Sequence, residues 1–276
     1  MKVGIFDKVY QRPTPEETFA ALRGAGFEAV QLHLSIAGLD DLPASVPGEL
    51  ARRVRRAAGA VEITAVSGMW NMAHPDARVR REGLAGLGAL AAACAALGTG
   101  VIGVCTGSRN TDSMWRPHPD NGQPEAWRDM RETMAASLAI AEQHGVVLAM
   151  EPEVNNVVDS PSKARRLIEE LGSPALMVCI DPANIFQHGQ LRRMAEVLDE
   201  AFQQVGDRIA FAHGKDLDHD GDAGHLPTGH GRLDYDRYVA LLRAVGYDGA
   251  IIMHGLSEAQ APGCRDFLRR KLAGSG

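Results

Sequence analysis

Short apolar, largely β-branched runs alternate with longer stretches of helical period along almost the whole chain. The apolar runs are Val3–Phe6, Ala29–Leu34, Ile63–Gly68, Gly100–Cys105, Val146–Met150, Leu176–Ile180, Ile209–Ala212 and Ala250–Met253. They are apolar at successive positions rather than alternate ones, the pattern of parallel strands covered on both faces. Between them the helical period predicts helices over Glu16–Ala25, Pro47–Ala58, Arg78–Leu97, Pro124–His144, Ser162–Leu171, Gln190–Val205 and Tyr235–Val245, with a last one over Ser257–Leu272. Eight strand–helix units in this length predict an α/β fold, a (β/α)8 TIM barrel, as one domain over residues 1–276. The alternative, an open doubly wound sheet, calls for a Gly-rich phosphate turn after the first strand, and FDKVYQRP supplies none.

The punctuation agrees with this reading. Glycines in AGF, LGTG, QHG and VGYDG stand where helices must stop before the next strand. Thr14-Pro15 and Ser160-Pro161 mark helix starts, because proline needs no N–H in the first turn.

Composition narrows the function. A net charge of -6, without a Lys/Arg stripe, argues against a nucleic-acid partner, which needs a positive field. No apolar run is long enough for a membrane helix, and no secretory leader is recognisable, so a cytoplasmic location is expected. Cys94, Cys105, Cys179 and Cys264 are widely spaced and read as free buried thiols.

A barrel of this kind carries its chemistry at the C-terminal ends of its strands. LAMEPE presents Glu151, VCIDPAN presents Asp181, AFAHGKD presents His213 and IIMHG presents His254. Four consecutive strands thus end in a potential metal ligand directly after an apolar run, where an unpaired charge would be costly. Two carboxylates and two imidazoles suit one divalent ion such as Mn²⁺, Co²⁺, Fe²⁺ or Zn²⁺ better than Ca²⁺, with Mg²⁺ also admitted.

The run RIAFAHGKDLDHDGDAGHLPTGHG, residues 208–231, imitates the start of a calcium loop at Asp216, Asp218 and Asp220. The bidentate glutamate such a loop needs falls on Pro227, so that reading fails. Asp218, His219, Asp220, Asp222 and His225 are assigned instead to a solvated loop over the barrel mouth.

Over Val146–His254 the chain resembles the xylose isomerase-like barrels of the sugar phosphate isomerase/epimerase superfamily. The resemblance rests on LAMEPEVNNVVDSPSKARRLIEELGSPALMVCIDPAN, GDRIAFAHGKD and GHGRLDYDRYVALLRAVGYDGAIIMHG, with weaker echoes in GFEAVQLHL and WNMAHPDARVRREG. It implies a divalent metal held by glutamate, aspartate, histidine and a second glutamate. Glu151, Asp181 and His213 match the first three, but His254 stands at the fourth position. His230 replaces the glutamate of the usual GEG turn, and Gln31 and His33 end the second strand where many relatives carry a glutamate.

The resemblance implies a metal-dependent isomerase or epimerase acting through an enediolate on a keto-sugar, polyol or related hydroxy-carbonyl compound. A dehydratase, a metal-assisted hydrolase and a non-catalytic sugar-binding protein are the alternatives, because a neutral imidazole at position 254 weakens two-base epimerisation. Glu151 is expected to be ligand and base, and His254 to be ligand or outer-sphere acid. His33, Trp70, Asn71, His74, Glu153, Asn184, His188, Lys215 and His230 are expected to meet substrate at the mouth, and homo-oligomers are common among such barrels.

Overall fold

The apolar runs form eight parallel strands, hydrogen-bonded in chain order into a closed barrel. They are β1 (Lys2–Phe6), β2 (Ala29–Leu32), β3 (Glu62–Ser67), β4 (Val101–Cys105), β5 (Val147–Glu151), β6 (Leu176–Ile180), β7 (Ile209–Gly214) and β8 (Ala250–Met253). The outer helices are α1 (Pro15–Gly24), α2 (Gly48–Ala58), α3 (Ala77–Leu97), α4 (Pro124–His144), α5 (Pro161–Leu171), α6 (Met194–Val205), α7 (Tyr235–Ala244) and α8 (Ala261–Gly274). The structure is a computed structural model in which residues 1–274 are described.

Local chemistry explains the boundaries. Thr14 and Ser160 accept the backbone N–H groups of Glu17 and Lys163, with proline in the first turn of α1 and α5. Gly26, Gly98, Gly145 and Gly246 take positive φ of 65–84°, the left-handed conformation that ends a helix before the next strand.

Several boundaries differ from expectation. The predicted helix over Gln190–Val205 is a short 3-10 turn (Gln190–Arg193) followed by α6. The last helix begins at Ala261 rather than Ser257, after a turn in which Gln260 accepts the Ser257 backbone N–H. β2 stops at Leu32 because the chain bends into a 3-10 turn over Leu34–Ala37.

The main core lies between strands and helices. A second, smaller one fills the barrel interior with Ala29, Ala65, Ala149, Cys179, Phe211, Ala250 and Ile252. Pairing slips between Val30 and Gln31 on β2 and between Val178 and Cys179 on β6. Such irregularities re-aim side chains, and Gln31 and Cys179 both reach the groups described next.

Candidate active site at the barrel mouth

Glu151 closes β5, Asp181 follows β6, His213 lies near the end of β7 and His254 follows β8, so the strand ends bring the four together. His213 Nδ1 lies 3.6 Å from Glu151 Oε1 and 3.6 Å from Asp181 Oδ2. His254 Nε2 stands 3.0 Å from the same Asp181 oxygen, and Lys215 Nζ 3.2 Å from it. Ala183 N–H donates to Asp181 Oδ1 at 2.9 Å, and the Asn184 amide to Glu151 Oε1 at 2.6 Å. Tyr238 on α7 donates to the His213 carbonyl at 2.9 Å, and Tyr235 to that of Lys215 at 2.9 Å, fastening the end of β7.

The electrostatics follow from burial and pairing. Burial pushes the Asp181 carboxyl up, but Lys215, His213 and His254 outweigh it and hold the group well below the usual carboxylate range. Glu151 is likewise pushed up by burial and brought below its ordinary value by the charge of His213, helped by Lys215. Burial opposes charge on His213, yet the acidic groups Cys179, Glu151 and Asp181 raise its pKa well above the ordinary value. His254 goes the other way: burial, Lys215 and His213 bring it down to about 4, so it is neutral at physiological pH. Its ring stacks on Phe6 at 4.6 Å between centroids.

Glu153 is pushed up to about 8 by burial and by the charge of Glu151, with Lys215 partly opposing. A carboxyl raised in the folded state binds a proton that the unfolded chain has released. Stability of the metal-free protein is therefore expected to fall as pH rises from the ordinary carboxylate value toward 8. Thermal melts at pH 5 and pH 9 test this: Glu153→Gln should flatten the decline, and a decline of equal size in the variant assigns it elsewhere.

His213 Nδ1 is buried and has no hydrogen-bond partner. Metal bonds of about 2.0–2.2 Å at near-tetrahedral angles put neighbouring donor atoms roughly 3.4 Å apart. The two 3.6 Å separations around that nitrogen match such a shell. Asp181, His213 and His254 offer ligand atoms within 4.8 Å of one another, as do Glu151, Cys179 and His213. Each of these two triads fits a divalent cation, with His213 common to both and Glu151 and Asp181 in different ones. Cys179 is an addition to the expected set, although burial raises its thiol to about 12.

The sequence profile of xylose isomerase-like TIM barrels matches residues 19–270. The chain belongs to that family.

Among solved structures, a D-tagatose 3-epimerase-like protein superposes with a TM-score of 0.78 at 18% identity, covering 100% of this chain and 98% of that one. L-ribulose 3-epimerase gives 0.74 at 19% identity, covering 99% and 95%. The 3-keto-D-glucoside 4-epimerase YcjR of E. coli gives 0.73 at 18% identity, covering 100% and 98%. Among curated sequences, the uncharacterized protein MJ1311 of Methanocaldococcus jannaschii is 24% identical over 143 residues, 51% of this chain and 47% of that protein. The match thus spans about half the length of that relative.

In this member of the family a cavity of about 630 Å³ opens at the strands' C-terminal ends, lined by Glu151, Glu153, Asn184, Lys215, His254 and His33. Four expected site residues lie elsewhere for structural reasons. Trp70 is 7% exposed and packs on Gly83, where an added Cβ would come within 2.1 Å of the indole. Asn71 ties two loops by donating to the Ser108 carbonyl at 2.7 Å and accepting its N–H at 3.0 Å. His74 accepts the Asp76 N–H in a turn leading into α3. His188 is exposed, with its ring over Gly221.

A fifth, His230, is also exposed and faces Cys264 and the Thr228 carbonyl rather than the cavity. Lys215 pairs with Asp181 and not with the neighbouring Asp216. Asp216 instead accepts the N–H groups of Leu217, Gly229 and Leu233 and organises the loop. Two residues of the predicted solvated loop, Asp222 and His225, line the cavity, and Asp222 accepts from Asn155 across the mouth at 2.6 Å. Asp218, His219 and His225 meet in an exposed cluster.

The aromatic wall is Trp115, 44% exposed at the cavity lip, in place of the expected Trp70. No periodicity distinguishes the two, because both follow strands in loops. No helix among the described residues is long and apolar enough to cross a membrane.

Proposed function

We propose that this chain is a divalent-cation-dependent isomerase or epimerase acting on an uncharged keto-sugar, polyol or similar hydroxy-carbonyl compound. The observation that carries the reading is His213 Nδ1, buried without a partner between the carboxylates of Glu151 and Asp181. Glu151, Asp181 and His213 would hold the cation, with His254 as the fourth candidate. When bound, such an ion polarises carbonyl and hydroxyl oxygens as a Lewis acid.

The remaining work falls to the chain's own groups. Glu151, ionised at neutral pH and steadied by the Asn184 amide, would take the proton from the carbon beside the carbonyl. Glu153, with a pKa of about 8, would carry a proton in the same cavity. Two carboxyl groups pushed apart in pKa divide base from acid work. His254 is neutral where the family resemblance puts a glutamate, so the chain does not place a pair of ionised ligand glutamates across the substrate.

An uncharged substrate is favoured because the lysines lining the cavity already have carboxylate partners: Lys215 pairs with Asp181, and Lys8 with Asp41. Two of the solved neighbours are by name epimerases of L-ribulose and of a 3-keto-D-glucoside, and a third is D-tagatose 3-epimerase-like.

Lys215 favours a second reading. Its ammonium balances Asp181 without any metal, as a cation-free sugar-binding pocket would require. Metal analysis after gentle purification, followed by keto-sugar turnover in D2O with product identification, separates the two. About one divalent ion per chain and deuterium at the carbon beside the carbonyl are expected. A metal-free protein that binds sugar without exchange would sink the enzyme reading.

A further inference from the structure

A line of polar side chains runs from the site to the opposite side of the mouth. His213 Nε2 lies 2.8 Å from Gln31 Oε1, and Gln31 Nε2 donates to Ser67 Oγ at 2.8 Å. Ser67 Oγ lies 3.0 Å from His33 Nε2, and His33 Nδ1 lies 2.7 Å from Asp7 Oδ1. The His33 backbone N–H also donates to Asp7 Oδ1 at 3.0 Å, so that carboxylate is fixed from two directions. Asp7, Gln31, His33, Ser67 and His213 are all buried. Gly103 leaves the room Gln31 needs, since a Cβ there would stand 3.3 Å from its amide nitrogen.

The donor and acceptor roles propagate from one end. Asp7 Oδ1 already accepts the His33 backbone N–H, and as an acceptor it takes a ring proton as well, so His33 Nδ1 carries a proton toward Asp7. With that proton on Nδ1, His33 Nε2 is placed to accept the Ser67 hydroxyl. With its proton committed, Ser67 can only accept from Gln31, which turns the amide nitrogen toward Ser67 and the amide oxygen toward His213. That oxygen can only accept, so a proton stays on His213 Nε2, and Nδ1 is the nitrogen that faces Glu151 and Asp181 and would be given up to a cation. Tautomers and amide orientations assigned this way follow from the network as a whole.

We propose that Asp7, His33, Ser67 and Gln31 form a one-way hydrogen-bond chain that locks the tautomer and orientation of His213 and thereby sets the cation affinity of the mouth. The inference rests on the cation-centred reading above. These four are positioning residues, acting through His213. An amide carries no proton onward readily, so the chain orients the imidazole and is not a wire.

The test uses full-length protein stripped with chelator and titrated calorimetrically with Zn²⁺. Gln31→Met removes the acceptor at similar volume and is expected to weaken binding about 10–100-fold, the usual effect of losing a ligand's hydrogen-bond partner. Gln31→Glu restores an acceptor and should return affinity to within a few-fold of wild type, a rescue that mere packing would not show. Ser67→Ala frees the amide to turn and should give an intermediate loss; it also serves if Gln31→Met does not fold.

In parallel, the ¹⁵N-labelled His213 Nε2–H resonance is read with and without Zn²⁺. It should be protected from solvent in wild type and lost in Gln31→Met. Unchanged Zn²⁺ affinity in both Gln31→Met and Ser67→Ala overturns the inference, as does an unprotected Nε2–H in wild type. A wild type that takes up no Zn²⁺ but keeps the protected Nε2–H overturns the cation-centred reading, and with it the effect on affinity, while leaving the orienting chain standing.

Discussion

Glu151→Gln is expected to lower kcat by roughly a hundredfold to ten-thousandfold, the range for removing a positioned proton-transfer group. The amide keeps the shape and can still meet Asn184, which is buried beside it, but it cannot take a proton. Because Glu151 also faces the His213 nitrogen, bound cation must be measured alongside kcat. A variant that keeps its cation and its fold by circular dichroism, yet turns over at the wild-type rate, removes Glu151 from the role of base.

Asp181→Ala is expected to have the largest effect on stability. One carboxylate oxygen serves Lys215 at 3.2 Å and His254 at 3.0 Å, and both oxygens are fully buried. Removing it strands a buried ammonium, at a cost of about 3–5 kcal/mol for breaking a buried pair from one side. Urea unfolding of metal-free protein measures this, and an unchanged midpoint would contradict it. The double variant Asp181→Ala/Lys215→Met should recover part of the loss, because it removes the stranded charge as well. Neither variant should bind a divalent cation with wild-type affinity.

The barrel was legible because buried parallel strands write themselves as unbroken apolar runs and because glycines stop the helices between them. The four strand-end groups were legible for the same reason: an ionisable residue directly after such a run needs a partner. Gln31 and Ser67 give no such signal, whereas Asp7, directly after the run Val3–Phe6, gives it and is not among the expected site residues. The partners of the three lie 26 to 182 residues away, and an amide or hydroxyl in a strand reads as ordinary polarity. Trp70 and Trp115 illustrate the opposite limit. Both follow strands, and what separates them is Gly83 on a neighbouring helix, which opens a slot for one indole and leaves the other at the lip. His254 stands out in the sequence as a departure from the family pattern, but its neutrality depends on burial, Lys215 and His213, whose nearness only the folded chain reveals.

Asp216 secures the outgoing and the returning strand of the segment after β7, and residues 218–225 are tied across the mouth as well: Gly221 and Gly224 N–H donate to the Phe186 and Ala183 carbonyls, and Asp220 accepts the Leu191 N–H. Exchange of its exposed side chains, such as His219 and His225, can reshape the entrance while those backbone ties stay in place. The outline of the mouth can therefore be altered at those side chains with the barrel core left as it is.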